Sequence, residues 1–356
     1  MARLARARRV MEAASTAANS NPRLDEMTGF GSNPGKLVAK SFIPDSGGAG
    51  MPLVVVLHGC TQNAGLYDRG SGWSELAERE GFALLYPEQQ RSNNSNLCFN
   101  WYLPGDARRG GGEAASIAQM VGHMVEKHGI DPSRVYVNGL SAGGAMTSVM
   151  LATYPELFAG GAVIAGLPFA SARTLPEALE RMRGQGAPST RTLASRARSA
   201  ADHSGPMPTL SVWHGTQDSI VDPANADELV GQWLDLHGLA GSASEVEKVG
   251  RHRREVWRDK AGRAMVERYD ISGMGHGTPL STGGAESVGA TGPHMLEAGI
   301  SSTRLIAESW GLSDPVQESS VRSSKAAPAA ARADPFGAHQ ATDMIEDALR
   351  AAGLMR

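Results

Sequence analysis

Val135-Tyr136-Val137-Asn138-Gly139-Leu140-Ser141-Ala142-Gly143-Gly144-Ala145-Met146 opens with a short apolar, strand-like run. It closes on residues that continue at helical spacing through Val149 and Met150. The join, Gly139 to Gly143, has the pattern G-x-S-x-G. Alone, that pattern also fits a glycine-rich tight turn. Between a strand and a helix it presents the serine on a sharp bend, clear of the sheet. Glycines flank such a serine because side chains there would strike the neighbouring strand and helix. The helix that follows also aims its free N–H groups at the same point, which favours developing negative charge. Ser141 is the expected nucleophile.

Outward from this turn, short apolar runs alternate with helical stripes. Leu53 to Leu57 is continuously apolar and rich in valine, as expected of a strand buried on both faces. Phe82–Tyr86, Ala162–Ala165 and Leu210–Trp213 repeat the theme, with Trp213 expected in the core. Between them, Ile117, Met120, Val121, Met124 and Val125 form one buried helical stripe, and Leu229, Val230, Trp233 and Leu234 a shorter one. Asp222-Pro223 supplies the start signal of the second helix. Leu37–Ile43 and Met265–Ile271 are less uniformly apolar and read as outer strands. The alternation predicts an α/β fold over residues 36–312, a mostly parallel central sheet with helices on both faces.

Three segments stand outside this rhythm. Residues 168–208 are rich in Pro, Arg and Ser where a crossover of a dozen residues would suffice, so they read as a cap-like insertion or lid over the sheet edge. Residues 1–35 read as an N-terminal extension, and its first 20 residues carry arginines without the apolar stretch of a secretory signal. Residues 313–356 read as a disordered linker leading to a short terminal helix around Met344, Ile345, Leu349 and Leu354.

Composition narrows the function. The chain has 356 residues, 41% of them hydrophobic, enough for a sizeable core. No apolar run is long enough to span a bilayer. A net charge of −3 offers no general electrostatic reason to bind nucleic acid or an anionic membrane. The two cysteines, Cys60 and Cys98, cannot build a disulfide framework or a four-thiolate zinc site. No metal-binding or phosphate-binding motif occurs, so neither metal nor cofactor is expected.

A serine is a poor nucleophile until a base takes its proton, and the base needs a carboxylate to orient it. In strand-to-helix elbows of this kind the partners follow in the order Ser, Asp or Glu, His. His276 lies in the glycine-rich loop Gly273–Gly277 just past a strand, free to turn inward, with His294 as the runner-up. His214 at a strand end reads as a packed or loop histidine. For the acid, Asp218 sits on the loop beyond Leu210–Trp213, whereas Asp222 is already explained as a helix cap. The oxyanion needs two N–H donors, expected from Ala142 and from Cys60 at the end of the first buried strand.

Taken together, these residues resemble the esterases of the polyhydroxybutyrate depolymerase type, relatives of feruloyl and acetylxylan esterases with an α/β-hydrolase fold. The resemblance runs through Leu57-His58-Gly59-Cys60-Thr61-Gln62, Tyr86-Pro87-Glu88-Gln89, Cys98-Phe99-Asn100-Trp101, Asp131 to Val137, Gly139 to Met146, His214 to Asp218 and Gly275-His276. It implies a Ser141–Asp218–His276 triad, an oxyanion hole at Cys60 and Ala142, and a disulfide between Cys60 and Cys98. It also implies a polymeric or oligomeric ester as substrate, with short-chain polyhydroxyalkanoate first and feruloyl- or acetyl-decorated polysaccharide second. An extracellular location follows from the resemblance; the missing signal leaves the cytoplasm as the alternative. Phe99, Trp101 and Tyr102 are candidates to line the acyl groove, or simply pack. The rival of a different class is a non-catalytic binding protein on a hydrolase scaffold.

Overall fold

The computed structural model describes residues 21–239 and 241–314. The first 20 residues of the expected extension, and the expected linker and terminal helix from 315 onward, lie outside the described residues.

The chain enters through β1 (Asp25–Met27) and β2 (Val38–Phe42) and reaches the buried strand β3 (Leu53–Leu57). Two short helices follow, α1 (Ala64–Ser71) and α2 (Trp73–Glu80), and then β4 (Ala83–Glu88). The long helix α3 (Gly112–His128) leads to β5 (Val135–Leu140), which turns at Ser141 into α4 (Ala142–Thr153) and on to β6 (Gly160–Ile164). The insertion carries α5 (Leu175–Met182) and α6 (Thr190–Arg198) before β7 (Thr209–Gly215) and α7 (Ala224–Leu236). Strands β8 (Glu245–Val249), β9 (His252–Arg258) and β10 (Ala264–Ile271) complete the large sheet. A small pair, β11 (Thr278–Leu280) and β12 (Met295–Glu297), precedes α8 (Ser302–Ser309).

The large sheet has ten strands in the order β1-β2-β4-β3-β5-β6-β7-β10-β9-β8. From β4 to β10 every neighbouring pair is parallel. Such strands are covered on both faces, and β3 shows the consequence: Leu53, Val55 and Leu57 enter the core beneath α3, α4 and α7, while Val54 and Val56 enter the one beneath α1, α2 and α8. Trp213 is buried and stacks on Tyr269, with ring centroids 3.6 Å apart.

Three details differ from the expectations. Neither Leu37–Ile43 nor Met265–Ile271 is an edge: β2 is covered by β1, and β10 lies between β7 and β9. The true edge beyond β10 is the β8–β9 hairpin, whose alternation is masked by charge. Arg254 pairs with Glu247 and Glu267, and Arg258 with Glu245, ladders that keep an edge polar. The insertion joins β6 to β7 at the middle of the sheet, so it lies against α4 and α7 rather than over an edge. Asp222 does cap its helix, since its Oδ1 accepts the Ala224 N–H at 2.9 Å.

Candidate active site

Ser141 has φ 57° and ψ −117°, a conformation that costs a non-glycine residue free energy and persists only when its surroundings hold it. Its N–H donates to the Ile164 carbonyl on β6 at 2.9 Å, and its carbonyl accepts from Ala145 at 2.8 Å. The bend is possible because two glycines leave room. A Cβ on Gly143 would stand 2.3 Å from the Leu57 carbonyl oxygen, and one on Gly139 would stand 2.4 Å from that of Gly143. Helix α4 therefore presses against the end of β3, and the serine is pushed out at the carboxyl ends of the strands.

The histidine and carboxylate arrive from two other strands. Because β7 and β10 are parallel neighbours, the loops that follow them emerge side by side. Gly215 lets them touch: a Cβ there would lie 2.3 Å from the Met274 carbonyl oxygen. Asp218 Oδ2 accepts from His276 Nδ1 at 2.7 Å, and Asp218 Oδ1 accepts the Ile220 and Val221 N–H groups, each at 2.9 Å. His214 stands behind, its Nε2 donating to the Val221 carbonyl at 2.8 Å and lying 3.4 Å from Asp218 Oδ2. Burial alone would raise the Asp218 carboxyl; hydrogen bonds from His214 and His276, the His276 charge and the Val221 N–H outweigh it and hold the group well below the usual carboxylate range. Asp218 stays ionised, and the ring facing it is held with Nδ1–H toward the carboxylate and Nε2 free.

His294, the other candidate base, sits edge-on to His276 with ring centroids 5.6 Å apart. Its Nδ1–H donates to the His276 carbonyl at 3.2 Å, so it braces the loop. Burial, then the His276 charge, lowers its pKa.

Ser141 and His276 border one cavity of about 250 Å³, with Cys60 and Ala142 on its wall. Helix α5 of the insertion supplies Leu175, Ala178, Leu179 and Met182, so most of the lining is apolar. Trp101 and Tyr102 line it too. Phe99 does not: it is fully buried, its ring 5.0 Å from that of His58, and belongs to the core. Cys60 and Cys98 are joined by a disulfide. Among the described residues, no group of three or more His, Cys, Asp or Glu side chains is placed to hold a metal ion, and no helix is long and apolar enough to cross a membrane.

Sequence reasoning overlooked the supports of the Cys60 loop. His58 accepts the Gln89 N–H through Nε2 at 3.1 Å, so its Nδ1–H donates to the Gly59 carbonyl at 2.8 Å. Burial lowers its pKa to about 4, which keeps that neutral tautomer. The Gln89 side chain donates to Glu113 at 2.6 Å and to the Cys98 carbonyl at 3.1 Å, and Glu113 also accepts from the Asn100 backbone and side chain, each at 2.8 Å. Burial pushes the Glu113 carboxyl up to about 8. In the sequence Glu113 reads only as an acid in the first turn of a helix, a common and usually exposed position.

A family model described as esterase PHB depolymerase matches residues 39–258. The chain belongs to that family. As a PHB depolymerase-type esterase it is a carboxylic ester hydrolase with an α/β-hydrolase fold. It is 44% identical over 291 residues to poly(3-hydroxyalkanoate) depolymerase C of Paucimonas lemoignei, covering 81% of this chain and 70% of that protein. Feruloyl esterase B of Talaromyces stipitatus is 30% identical over 269 residues, covering 72% of each. Among solved structures, the acetyl xylan esterase from Aspergillus awamori superposes with a TM-score of 0.69 at 26% identity, over 82% of this chain and 99% of that one.

Proposed function

We propose that Ser141, Asp218 and His276 are the nucleophile, orienting acid and base of a two-step ester hydrolysis. His276 Nε2 takes the Ser141 hydroxyl proton as Oγ attacks the ester carbonyl. The Cys60 and Ala142 N–H groups receive the oxyanion, and Asp218 stabilises the imidazolium. His276 then gives its proton to the departing alcohol, leaving an acyl-serine. Water repeats the sequence, with His276 as base, to release the acid. The observation that carries the reading is the bond from His276 to Asp218, with the His276 ring lining the same cavity as Ser141.

The substrate we favour is short-chain polyhydroxyalkanoate, as polymer or oligomer. The small apolar cavity suits a short acyl unit, and the 44% identity is to a protein named as a depolymerase of that polyester. A feruloyl or acetyl ester on polysaccharide is the second reading, supported by the relatives named for those activities. A binding protein without chemistry is disfavoured, because no position of the proposed triad is vacant. The Cys60–Cys98 bridge supports an oxidising, extracellular setting. Release of 3-hydroxybutyrate oligomers from polyester film, measured beside ferulate release from esterified arabinoxylan, tests the choice; ferulate release alone overturns it.

A further inference from the structure

A second cavity, of about 510 Å³, adjoins the first and shares Trp101 and Tyr102 with it. Those two rings meet edge-on, with centroids 5.5 Å apart, and border both spaces. On one side the groove is bounded by the loop that runs on from them to Arg109, and on the other by the insertion, from Phe169 to Arg173 and again from Arg196 to Ala200. Its charge is one-sided: Arg108, Arg109, Arg173 and Arg196 line it, and no aspartate or glutamate does. On a chain of net charge −3 this is a local excess of cations beside the reaction centre.

The four arginines are not equivalent. Arg109 is spent: it donates to the Thr153 carbonyl at 2.8 Å, pairs with Glu156 at 2.7 Å and lies over the Tyr154 ring. Arg196 donates one N–H to the Ala170 carbonyl at 2.6 Å, which fixes its position, and pairs with no carboxylate among the described residues. Arg108 lies folded against the backbone of Gly111, where a Cβ would come within 2.7 Å of its Nε. Arg173 is exposed at the entrance to α5. Arg108, Arg173 and Arg196 thus hold charge that nothing on the groove wall neutralises.

We propose that this groove is a subsite for the terminal carboxylate of an oligomeric ester whose scissile carbonyl lies at Ser141. Guanidinium groups suit a carboxylate because their planar N–H pairs match its two oxygens. The shared aromatic wall offers the intervening apolar chain a surface to cross. This rests on the polyester reading above, since each hydroxyalkanoate oligomer ends in one free carboxylate and a neutral ester chain has none to offer. The carboxylate end belongs to the leaving alcohol, so the first product released carries it and the hydroxyl end remains as the acyl-serine.

The test compares the 3-hydroxybutyrate trimer as free acid with the same trimer capped as its N-methylamide, on the full chain. The wild type is expected to favour the free acid in kcat/KM, through a lower KM, by roughly threefold to fivefold per engaged arginine. The preference is expected to shrink as salt rises. The double variant Arg108→Ala/Arg173→Ala, which keeps only Arg196, should lose most of it, and Arg173→Glu should tilt it toward the amide. Equal turnover of the two trimers by the wild type overturns the subsite alone, as does a preference that both variants keep. If neither trimer is cleaved while p-nitrophenyl butyrate is, the polyester reading fails and the subsite falls with it.

Discussion

Asp218 Oδ2 and His276 Nδ1 lie 2.7 Å apart, although 58 positions separate them in the chain. The contact exists because β7 and β10 run parallel as neighbours, so their C-terminal loops leave the sheet on the same side. The same sheet end holds Ser141, one strand beyond β6. Ser141, His276 and Asp218, drawn from the ends of three strands, thus lie where open α/β sheets place their ligands.

Ser141→Ala removes the oxygen proposed to attack while leaving the backbone its bend. Turnover of p-nitrophenyl butyrate should fall by about 10⁴-fold or more, with near-ultraviolet circular dichroism unchanged. Labelling by a fluorophosphonate probe should vanish with it. Wild-type turnover in this variant would sink the assignment of the nucleophile.

Asp218→Asn keeps the shape but reverses the demand on the His276 tautomer, so kcat should drop by about 10⁴-fold. The pH dependence of stability follows from the sign of the shift. The folded carboxyl ionises more readily than an unfolded one, so its contribution is full above about pH 4 and is lost as pH falls through the acid range below that. Urea midpoints of wild type and variant should therefore converge on acidification from pH 5. A gap that stays constant would count against the depressed carboxyl.

Glu113 has the opposite sign. Its carboxyl is pushed up to about 8 in the fold, so the folded state holds a proton that the unfolded chain has already released. Stability from this group should decline as pH rises from about 4.3 to 8 and level off beyond. Melting temperatures of Glu113→Gln across that window should fall less steeply than those of the wild type. Parallel curves would show that Glu113 is ionised throughout.

The Cys60–Cys98 bridge closes a loop of sequence separation 38. Removing it with Cys98→Ser should cost about 3–4 kcal/mol of stability through unfolded-chain entropy, read as a lower urea midpoint. Activity should fall more in Cys98→Ser than the loss of folded protein explains, because the Cys60 N–H is a proposed oxyanion donor. Specific activity equal to that of the wild type would separate the bridge from the oxyanion hole.

Gly143→Ala places a methyl 2.3 Å from the Leu57 carbonyl oxygen, a backbone atom that cannot swing away. Overpacking of this kind costs about 1–3 kcal/mol, and the elbow should open as α4 is pushed back. Thermal melts should show a clear loss of stability, and kcat on p-nitrophenyl butyrate should fall with it. A variant as stable and active as the wild type would mean that α4 and β3 stand farther apart.

What the sequence determined unaided is what neighbouring residues decide among themselves. The strand, elbow and helix from Val135 to Met150 are set by apolar spacing and by two glycines whose missing side chains leave space, all within about 16 positions. The buried run Leu53–Leu57 is legible for the same reason. The tertiary structure alone decided that His276 faces Asp218 while His294 braces its carbonyl. It also placed Phe99 in the core and its near neighbours Trp101 and Tyr102 on the cavity wall, buried Glu113 against Gln89 and Asn100, and added the charged β8–β9 hairpin at the edge. None of these is written locally, because a ring or carboxylate takes its role from whatever parallel register and long-range packing bring against it.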